Sequence, residues 1–481
     1  MDLTTKSPPL HILFFPFLLP GHLLPTAHLA RLFALRGVKC TIVTTPANQR
    51  IICPTVDQAN KHLEREKSHN FTPITLSLIP FPSAKVGLPD GMENGTGVTC
   101  DSEFEKFIQG FNLLEEPLEQ TIINIKPDAI VSDSFYPWSF NVAARHGIPR
   151  LVFKGEGVMA RCICEMYLRC IDSLSADVDK LIIPGLPHCF EFRRAQIMGP
   201  DNDRLVFSLV MANRDADAKS YGEIFNSFLE LEQDYAAHWC NMIGRRAWLV
   251  GPLALGNEES IMKSYREGDA LNSGNKELLN WLDAKHPSSV LYVSFGTLMN
   301  LSIAQLREVV VALEMCQQDF ILVANGVSVE EILKGNSTRG LIITGWVPQV
   351  LVLNHCAIGG FLTHCGWNST MESITAGIPM ITWPMFSDQF YNEKLIVEVL
   401  KVGVCLGAKG YGAVMEQKPL IHAEVIKSAV DRLMGGGKEA EEMRLRAKEL
   451  KEKARTAVQE GGSSSANIKD LIEELEKYKK V

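Results

Sequence analysis

Two groups of residues in this chain of 481 have types and spacings that chemistry requires. The first is a pair. His22, in Pro20-Gly21-His22, follows an apolar run over residues 11–17 that reads as a buried strand. Asp133 closes a second apolar run, Ala-Ile-Val-Ser-Asp, over residues 129–133. If both runs lie in one parallel sheet, the two side chains share the rim made by the strands' carboxyl ends. A carboxylate bonded to an imidazole fixes its tautomer and stabilises the imidazolium formed when the ring takes a proton. Such a ring is a general base. A phenol, with a pKa of about 10, is almost undissociated at neutral pH, and a positioned base that takes its proton during attack is worth roughly 10²–10⁴ in rate.

The second group is the segment from Trp346 to Gln389, WVPQVLVLNHCAIGGFLTHCGWNSTMESITAGIPMITWPMFSDQ. Residues 360–363 read as a strand that delivers His364, and a turn through Gly366 opens a helix at Asn368 or Ser369. Unpaired N–H groups and partial positive charge at a helix start suit a phosphate, and His364, Asn368 and Ser369 add side-chain donors there. Glu372 lies one turn beyond Asn368 on the same face, where its carboxylate can accept from a ribose diol. Trp346 offers a face for stacking a base; Asp388 and Gln389 offer groups for sugar hydroxyls. Singly, each has a commoner use: a loop tryptophan packs, a strand-end histidine is structural, and a Ser or Asn at a helix start is a cap. It is their order and spacing together that carry weight.

Two sheets are needed to hold these groups. Strand-like runs at 11–17, 39–44, 129–132 and 150–153 alternate with helix-period segments at 25–36 and 138–146. The pattern restarts with strands at 289–294, 320–323, 340–344 and 358–363 and helices at 303–316 and 369–376. This βαβ alternation implies parallel sheets covered by helices on both faces, with ligands beyond the strands' carboxyl ends. Residues 251–275, rich in Gly, Ser, Asn and charge, read as a linker between two doubly wound α/β domains, 1–250 and 276–460, and the cleft between them is the expected site. Residues 438–455 read as a charged helix with a solvated face. A Gly-Gly-Ser-Ser-Ser break at 461–465 precedes a last helix, 466–480, whose Ile468, Leu471, Ile472 and Leu475 form an apolar stripe with the first domain as a candidate partner.

Composition narrows the class. With 46% hydrophobic and 22% charged residues the chain is globular, and its net charge of −8 argues against nucleic acid as a partner. No run of about 20 apolar residues suggests a membrane span, and the apolar start lacks the basic cluster and cleavage site of a signal peptide. Twelve cysteines without a Cys-x-x-Cys pair read as buried free thiols in a reducing compartment. A cytoplasmic monomer without integral membrane contact is expected.

The 346–389 segment resembles, without a gap, the plant secondary product glycosyltransferase box of family 1 uridine-diphosphate sugar transferases. The resemblance extends along the chain through FFPFLLPGHLLPTAHLARLFALRGV, VGLPDGMEN at 86–94, SDSFYPW at 132–138, LYVSFGT at 291–297 and QFYNEKL after the box. It is nearest to the plant subgroup acting on flavonoids, triterpenoids and steroids. The resemblance implies a GT-B fold, two Rossmann-like domains facing across a cleft, with the small hydrophobic acceptor held by the first and a UDP-sugar by the second. It implies that Trp346 stacks on uracil, that Val347 and Gln349 fix base and ribose, and that Glu372 holds the ribose hydroxyls. His364, Asn368, Ser369 and the turn Ser294–Thr297 would bind the diphosphate, with Gly21 also on the donor side. Trp367, Asp388 and Gln389 would contact the hexose, and a final Gln favours UDP-glucose. The roles of base and its partner fall on His22 and Asp133, with inversion at the anomeric carbon and no metal or other cofactor.

Where relatives commonly carry a Phe-His-Gly-Thr-like run, this chain has Phe153-Lys154-Gly155-Glu156-Gly157, whose charges pair with each other, meet a ligand or point outward. Asp215-Ala216-Asp217, the nearest approach to a metal-holding Asp-x-Asp, reads as solvated. Three other functions are weighed. A nicotinamide-dependent oxidoreductase lacks its three-glycine turn after the first strand; a non-catalytic binder would not need His22 and Asp133; carbon-glycoside formation on a phenol ring uses the same constellation.

Overall fold

The computed structural model describes residues 8–65, 72–98, 100–174, 179–199, 204–255, 273–297, 301–333, 339–410 and 420–479. The first lobe carries β1 (His11–Phe15), β2 (Lys39–Thr44), β3 (Thr75–Leu78), β4 (Ala129–Ser132), β5 (Arg150–Phe153), the hairpin β6 (Lys180–Ile182) and β7 (Glu191–Arg193), β8 (Gly222–Phe225) and β9 (Ala247–Leu249). Seven of these form one parallel sheet in the order β3-β2-β1-β4-β5-β8-β9. The second lobe carries β10 (Val290–Ser294), β11 (Asp319–Val323), β12 (Leu341–Ile343), β13 (Ile358–Thr363), β14 (Met380–Thr382) and β15 (Gly403–Cys405), in the order β12-β11-β10-β13-β14-β15. Near-continuous apolar strands, buried on both faces, drive this arrangement: all residues of β1, β4, β5, β10 and β13 are buried.

In each sheet the chain direction of winding reverses once, between β1 and β4 in the first and between β10 and β13 in the second. Crevices open at such switch points because the flanking connections leave in opposite directions. Register sets the level of each crevice. Phe15 pairs with Ser132, and Ser294 pairs with Thr363. The residues that leave each strand pair therefore start side by side.

The helix after β1 spans Pro20–Ala34, five residues longer at its start than its sequence suggests, with Pro25 inside it. Both prolines suit a first turn; Pro20 occupies it, because a preset φ and a missing N–H cost nothing there. The helix Trp367–Ala376 likewise starts two residues before Ser369. Asp217 is not solvated: it is buried, with Arg150 Nη1 at 3.2 Å and Arg161 Nη2 at 3.4 Å, and it accepts from Ser134 Oγ at 2.5 Å. Its neighbour Asp215 is exposed. The charged helix Lys438–Val458 has a buried stripe as well as a solvated face, Ala440, Met443, Ala447, Leu450, Ala454 and Ala457. Among the cysteines, all free, only Cys40, Cys162 and Cys365 are buried and five are exposed, so burial is not the general rule expected. Most of residues 251–275, read as a linker, lies outside the described residues. No described helix is long and apolar enough to cross a membrane.

The last helix, Ser463–Lys479, returns to the first lobe. Ile468, Leu471, Ile472 and Leu475 join the core beneath β1, β2 and β4, Tyr221 donates to Glu474 at 3.0 Å, and Lys479 pairs with Asp128 at 2.9 Å. Leu471 is fully buried there, so Leu471→Ala should lower unfolding free energy by about 2–5 kcal/mol, read by urea denaturation. An unchanged midpoint would mean the helix does not contribute to the lobe's core.

Candidate active site

His22 sits in the first turn of the helix Pro20–Ala34, and Asp133 follows β4 directly. The Asp133 N–H donates to the Phe15 carbonyl at 2.9 Å, continuing the β1–β4 ladder one residue past the strand. His22 Nδ1 lies 2.7 Å from Asp133 Oδ2. With a carboxylate as its partner, Nδ1 carries the proton and donates, leaving Nε2 as the basic nitrogen. The aspartate is held by two further bonds: Phe135 N–H donates to Oδ1 at 3.1 Å, and the buried Arg150 donates to the Asp133 carbonyl at 3.2 Å. Its side chain is 1% exposed and that of His22 22%, so the pair is sealed behind and open in front. Phe17 and Phe135 meet the imidazole edge-to-face at 5.2 and 6.2 Å. Sequence reading overlooked these rings, although Phe17 ends the apolar run before His22 and Phe135 stands two residues after Asp133.

On the facing lobe, His364 follows β13 and is flanked by two glycines. A Cβ on Gly296 would lie 2.7 Å from its ring, and one on Gly366 2.5 Å, and Gly296 also has φ +77°. Burial lowers its pKa to about 4, so the ring is neutral at physiological pH. Its Nδ1 is buried without a hydrogen-bond partner in the protein. An orphaned buried nitrogen at the start of a helix is a group awaiting a ligand. Ser294 ends β10 beside this point and is buried, while Thr297 is exposed at the far side of the turn.

Gln349, Ser369 and Glu372 come together in one cluster: Gln349 Nε2 donates to Ser369 Oγ at 2.9 Å and to Glu372 Oε2 at 2.8 Å, while Tyr292 donates to Gln349 Oε1 at 3.4 Å. Burial pushes the Glu372 carboxyl up to about 7, partly offset by the Gln349 bond. Trp346 stands apart with its indole 73% exposed, an unusual setting for so large an apolar ring. Val347 next to it is buried. Asp388 accepts from Asn392 at 2.9 Å, and burial with the nearby Glu156 raises its pKa to about 6. Gln389 Oε1 accepts from the N–H groups of Met385 and Phe386 at 2.9 and 3.2 Å, which leaves its Nε2 as the donor of that amide.

The two halves touch through neighbouring residues. Trp367 Nε1 donates to the Asn226 carbonyl of the first lobe at 2.9 Å, with its ring packed on Gly157, so the indole is committed to the lobe contact. Any bond from Trp367 to a sugar is left to its backbone. Asn368 Nδ2 donates to the Gly21 carbonyl at 2.8 Å, one residue from His22. Lys154 and Glu156 pair with each other at 3.0 Å, Lys154 lies 5.9 Å over the Phe135 ring, and Arg161 stands 3.4 Å from Glu156.

Two facing parallel α/β lobes, with a carboxylate-backed histidine on one and a helix start holding an unsatisfied neutral imidazole on the other, are the arrangement of a GT-B glycosyltransferase. Residues 269–409 match the family model described as UDP-glucoronosyl and UDP-glucosyl transferase. The chain is 40% identical to a scopoletin glucosyltransferase of Nicotiana tabacum, covering 98% of both chains. It is also 40% identical to an anthocyanin 3'-O-beta-glucosyltransferase of Gentiana triflora, over 98% of this chain and 99% of the relative. Among solved structures it superposes on Glycyrrhiza uralensis UGT73P12 complexed with glycyrrhetinic acid 3-O-monoglucuronide with a TM-score of 0.86, at 37% identity over 98% of this chain and 96% of that one. The chain belongs to the plant family 1 UDP-glycosyltransferases, enzymes that transfer a sugar from a UDP-sugar donor to small molecules.

The raised pKa of Glu372 gives the site a pH dependence. The carboxylate form, which accepts hydroxyl protons, dominates above about 7 and is lost as pH falls through that value. UDP-glucose affinity, measured by calorimetry, should therefore weaken as pH drops from about 8 to about 6, and Glu372→Gln should flatten the profile. A wild-type affinity independent of pH over that range would remove Glu372 from donor binding.

Proposed function

We propose that this enzyme transfers glucose from UDP-glucose to a hydroxyl of a small phenolic, triterpenoid or steroid aglycone, giving a β-O-glucoside with inversion at the anomeric carbon. The observation that carries the reading is the 2.7 Å bond between His22 and Asp133, with the imidazole partly exposed and the neighbouring Gly21 carbonyl bonded by Asn368 of the lobe that carries His364. Relatives that act on scopoletin and on an anthocyanin support a phenolic acceptor, and the half-buried Phe135 ring beside His22, backed by the buried Phe17, is a surface on which a flat ring can pack.

In the reaction, His22 Nε2 takes the proton of the acceptor hydroxyl while that oxygen forms a bond to C1 of the glucose. The bond from C1 to the diphosphate oxygen breaks on the opposite face, and its electron pair leaves with UDP. The buried Asp133 carboxylate stabilises the imidazolium so formed; Phe135 N–H holds its other oxygen, and Arg150 holds the Asp133 backbone carbonyl, so the group is kept turned toward the ring. Donor placement falls to the second lobe. Trp346 covers the uracil, Val347 and Gln349 fix the base and ribose, and Glu372 accepts from the ribose diol. His364, Asn368, Ser369, Ser294, Thr297 and Gly21 surround the diphosphate, where their N–H and O–H groups offset the charge that grows on the leaving oxygen. Asp388, the Gln389 amide and the Trp367 backbone receive the hexose hydroxyls. A cytoplasmic monomer completes the reading.

His22→Ala should cut UDP release with a flavonoid acceptor at least about a hundredfold while UDP affinity stays within about twofold. Turnover that survives the substitution would take His22 out of the mechanism. Gln389→His should shift the ratio of UDP-glucose to UDP-galactose turnover toward galactose, measured by product mass spectrometry; an unaltered ratio would place the hexose contact elsewhere.

A further inference from the structure

Pro25 interrupts the hydrogen-bond ladder of the helix that carries His22. In an α-helix the N–H of residue 25 bonds the carbonyl of residue 21; proline has no N–H, and its ring crowds that carbonyl outward. The Gly21 carbonyl is the one that accepts from Asn368 Nδ2 of the facing lobe at 2.8 Å. Asn368 is the second residue of the helix Trp367–Ala376, whose start is assigned to the donor diphosphate, and Gly21 precedes the base. Next to it, Trp367 donates to Asn226 at 2.9 Å, so two successive residues of that helix bond carbonyls of the first lobe. The absence of a Cβ at Gly21 matters less than its carbonyl, since a Cβ there would meet Asn368 Nδ2 only at 3.7 Å, an ordinary contact.

We propose that Pro25 is a positioning residue for transfer: by removing the N–H that would otherwise share the Gly21 carbonyl and by turning that carbonyl outward, it directs the oxygen at Asn368 and so sets the distance between the His22 imidazole and the donor's anomeric carbon. Nothing in Pro25 touches substrate. Its influence runs through one oxygen shared between the base's helix and the diphosphate's helix. Misplacing reacting groups by about 1 Å can cost as much as 10²-fold, so losing the shared bond has a kinetic rather than a stability signature. Alanine is the residue that helices favour most and proline the least, so replacement strengthens the helix while weakening the coupling.

The inference rests on the reading of His22 as the base and is tested separately from it. Pro25→Ala should lower kcat about fivefold to tenfold with the Kd for UDP within about twofold and no fall in Tm. Pro25→Val, which keeps bulk and also restores the N–H, should give the same loss and so covers the case in which alanine leaves a packing defect. In the Asn368→Asp background, where the donor is gone, adding Pro25→Ala should change kcat by less than about twofold. A Pro25→Ala effect that multiplies undiminished onto Asn368→Asp, or a wild-type kcat in either Pro25 variant, overturns the proposal. Full activity in His22→Ala would instead overturn the assignment of the base.

Discussion

Everything at this site follows from strands that stop at the same height. β1 and β4 end level, so the chain leaving one supplies His22 and the chain leaving the other supplies Asp133, and a 2.7 Å bond joins residues 111 apart in sequence. A proton acceptor that must also hold a fixed tautomer is placed more precisely by strand ends and helix starts than by mobile loops. Here the aspartate backbone is anchored by its N–H to Phe15 and by its carbonyl to the buried guanidinium of Arg150, and the carboxylate itself by Phe135 N–H. That guanidinium also binds Ser132, Ser139 and Asp217, so the rim of the first sheet is stiffened from below by a buried charge cluster. Burying such charges is tolerable only because each has a partner.

The second lobe repeats the geometry for a different purpose. Its own level strand ends bring Gly296 against His364, and the close approach of two glycines to one ring leaves a neutral imidazole with an unsatisfied nitrogen. Desolvation sets the electrostatic character of the donor side: it keeps His364 uncharged, holds Glu372 near the middle of its titration at neutral pH and lifts Asp388 above the usual carboxylate range. A nucleotide sugar brings its own negative charge and many hydroxyl donors. Carboxylates lifted in this way gain most from hydrogen bonds that favour their ionised form.

Much of this was legible in the sequence because the determinants are local. The strands 39–44, 129–132, 150–153 and 358–363 have the bounds their apolar runs suggest. His22, Asp133 and His364 could be singled out because each follows a strand or stands in the first turn of a helix, and Glu372 because it lies one turn beyond such a start; Gln349 came only from the family resemblance. What stayed hidden depends on partners far along the chain. Asp217 looked solvated because its neighbours are charged, yet Arg150 and Arg161 bury it from 67 and 56 residues away. Trp367 read as a sugar contact, but its indole nitrogen is taken by Asn226. The start of the first helix was ambiguous between two prolines, and no local rule chooses between them. Lys154 and Glu156 left three outcomes open, of which the mutual pair at 3.0 Å is the one realised.

The return of the last helix to the first lobe ties two distant stretches of backbone together. Ser464, just after the chain comes back, donates to the carbonyl of Gly251, just before it departs, at 2.5 Å. The polypeptide thus passes between lobes along two lines that are stitched where they meet. A plate held by a single tether can slide and twist; one held by two tethers joined at a point is left chiefly with swinging. Any swing of one lobe against the other would be pinned where the outgoing glycine meets the incoming serine.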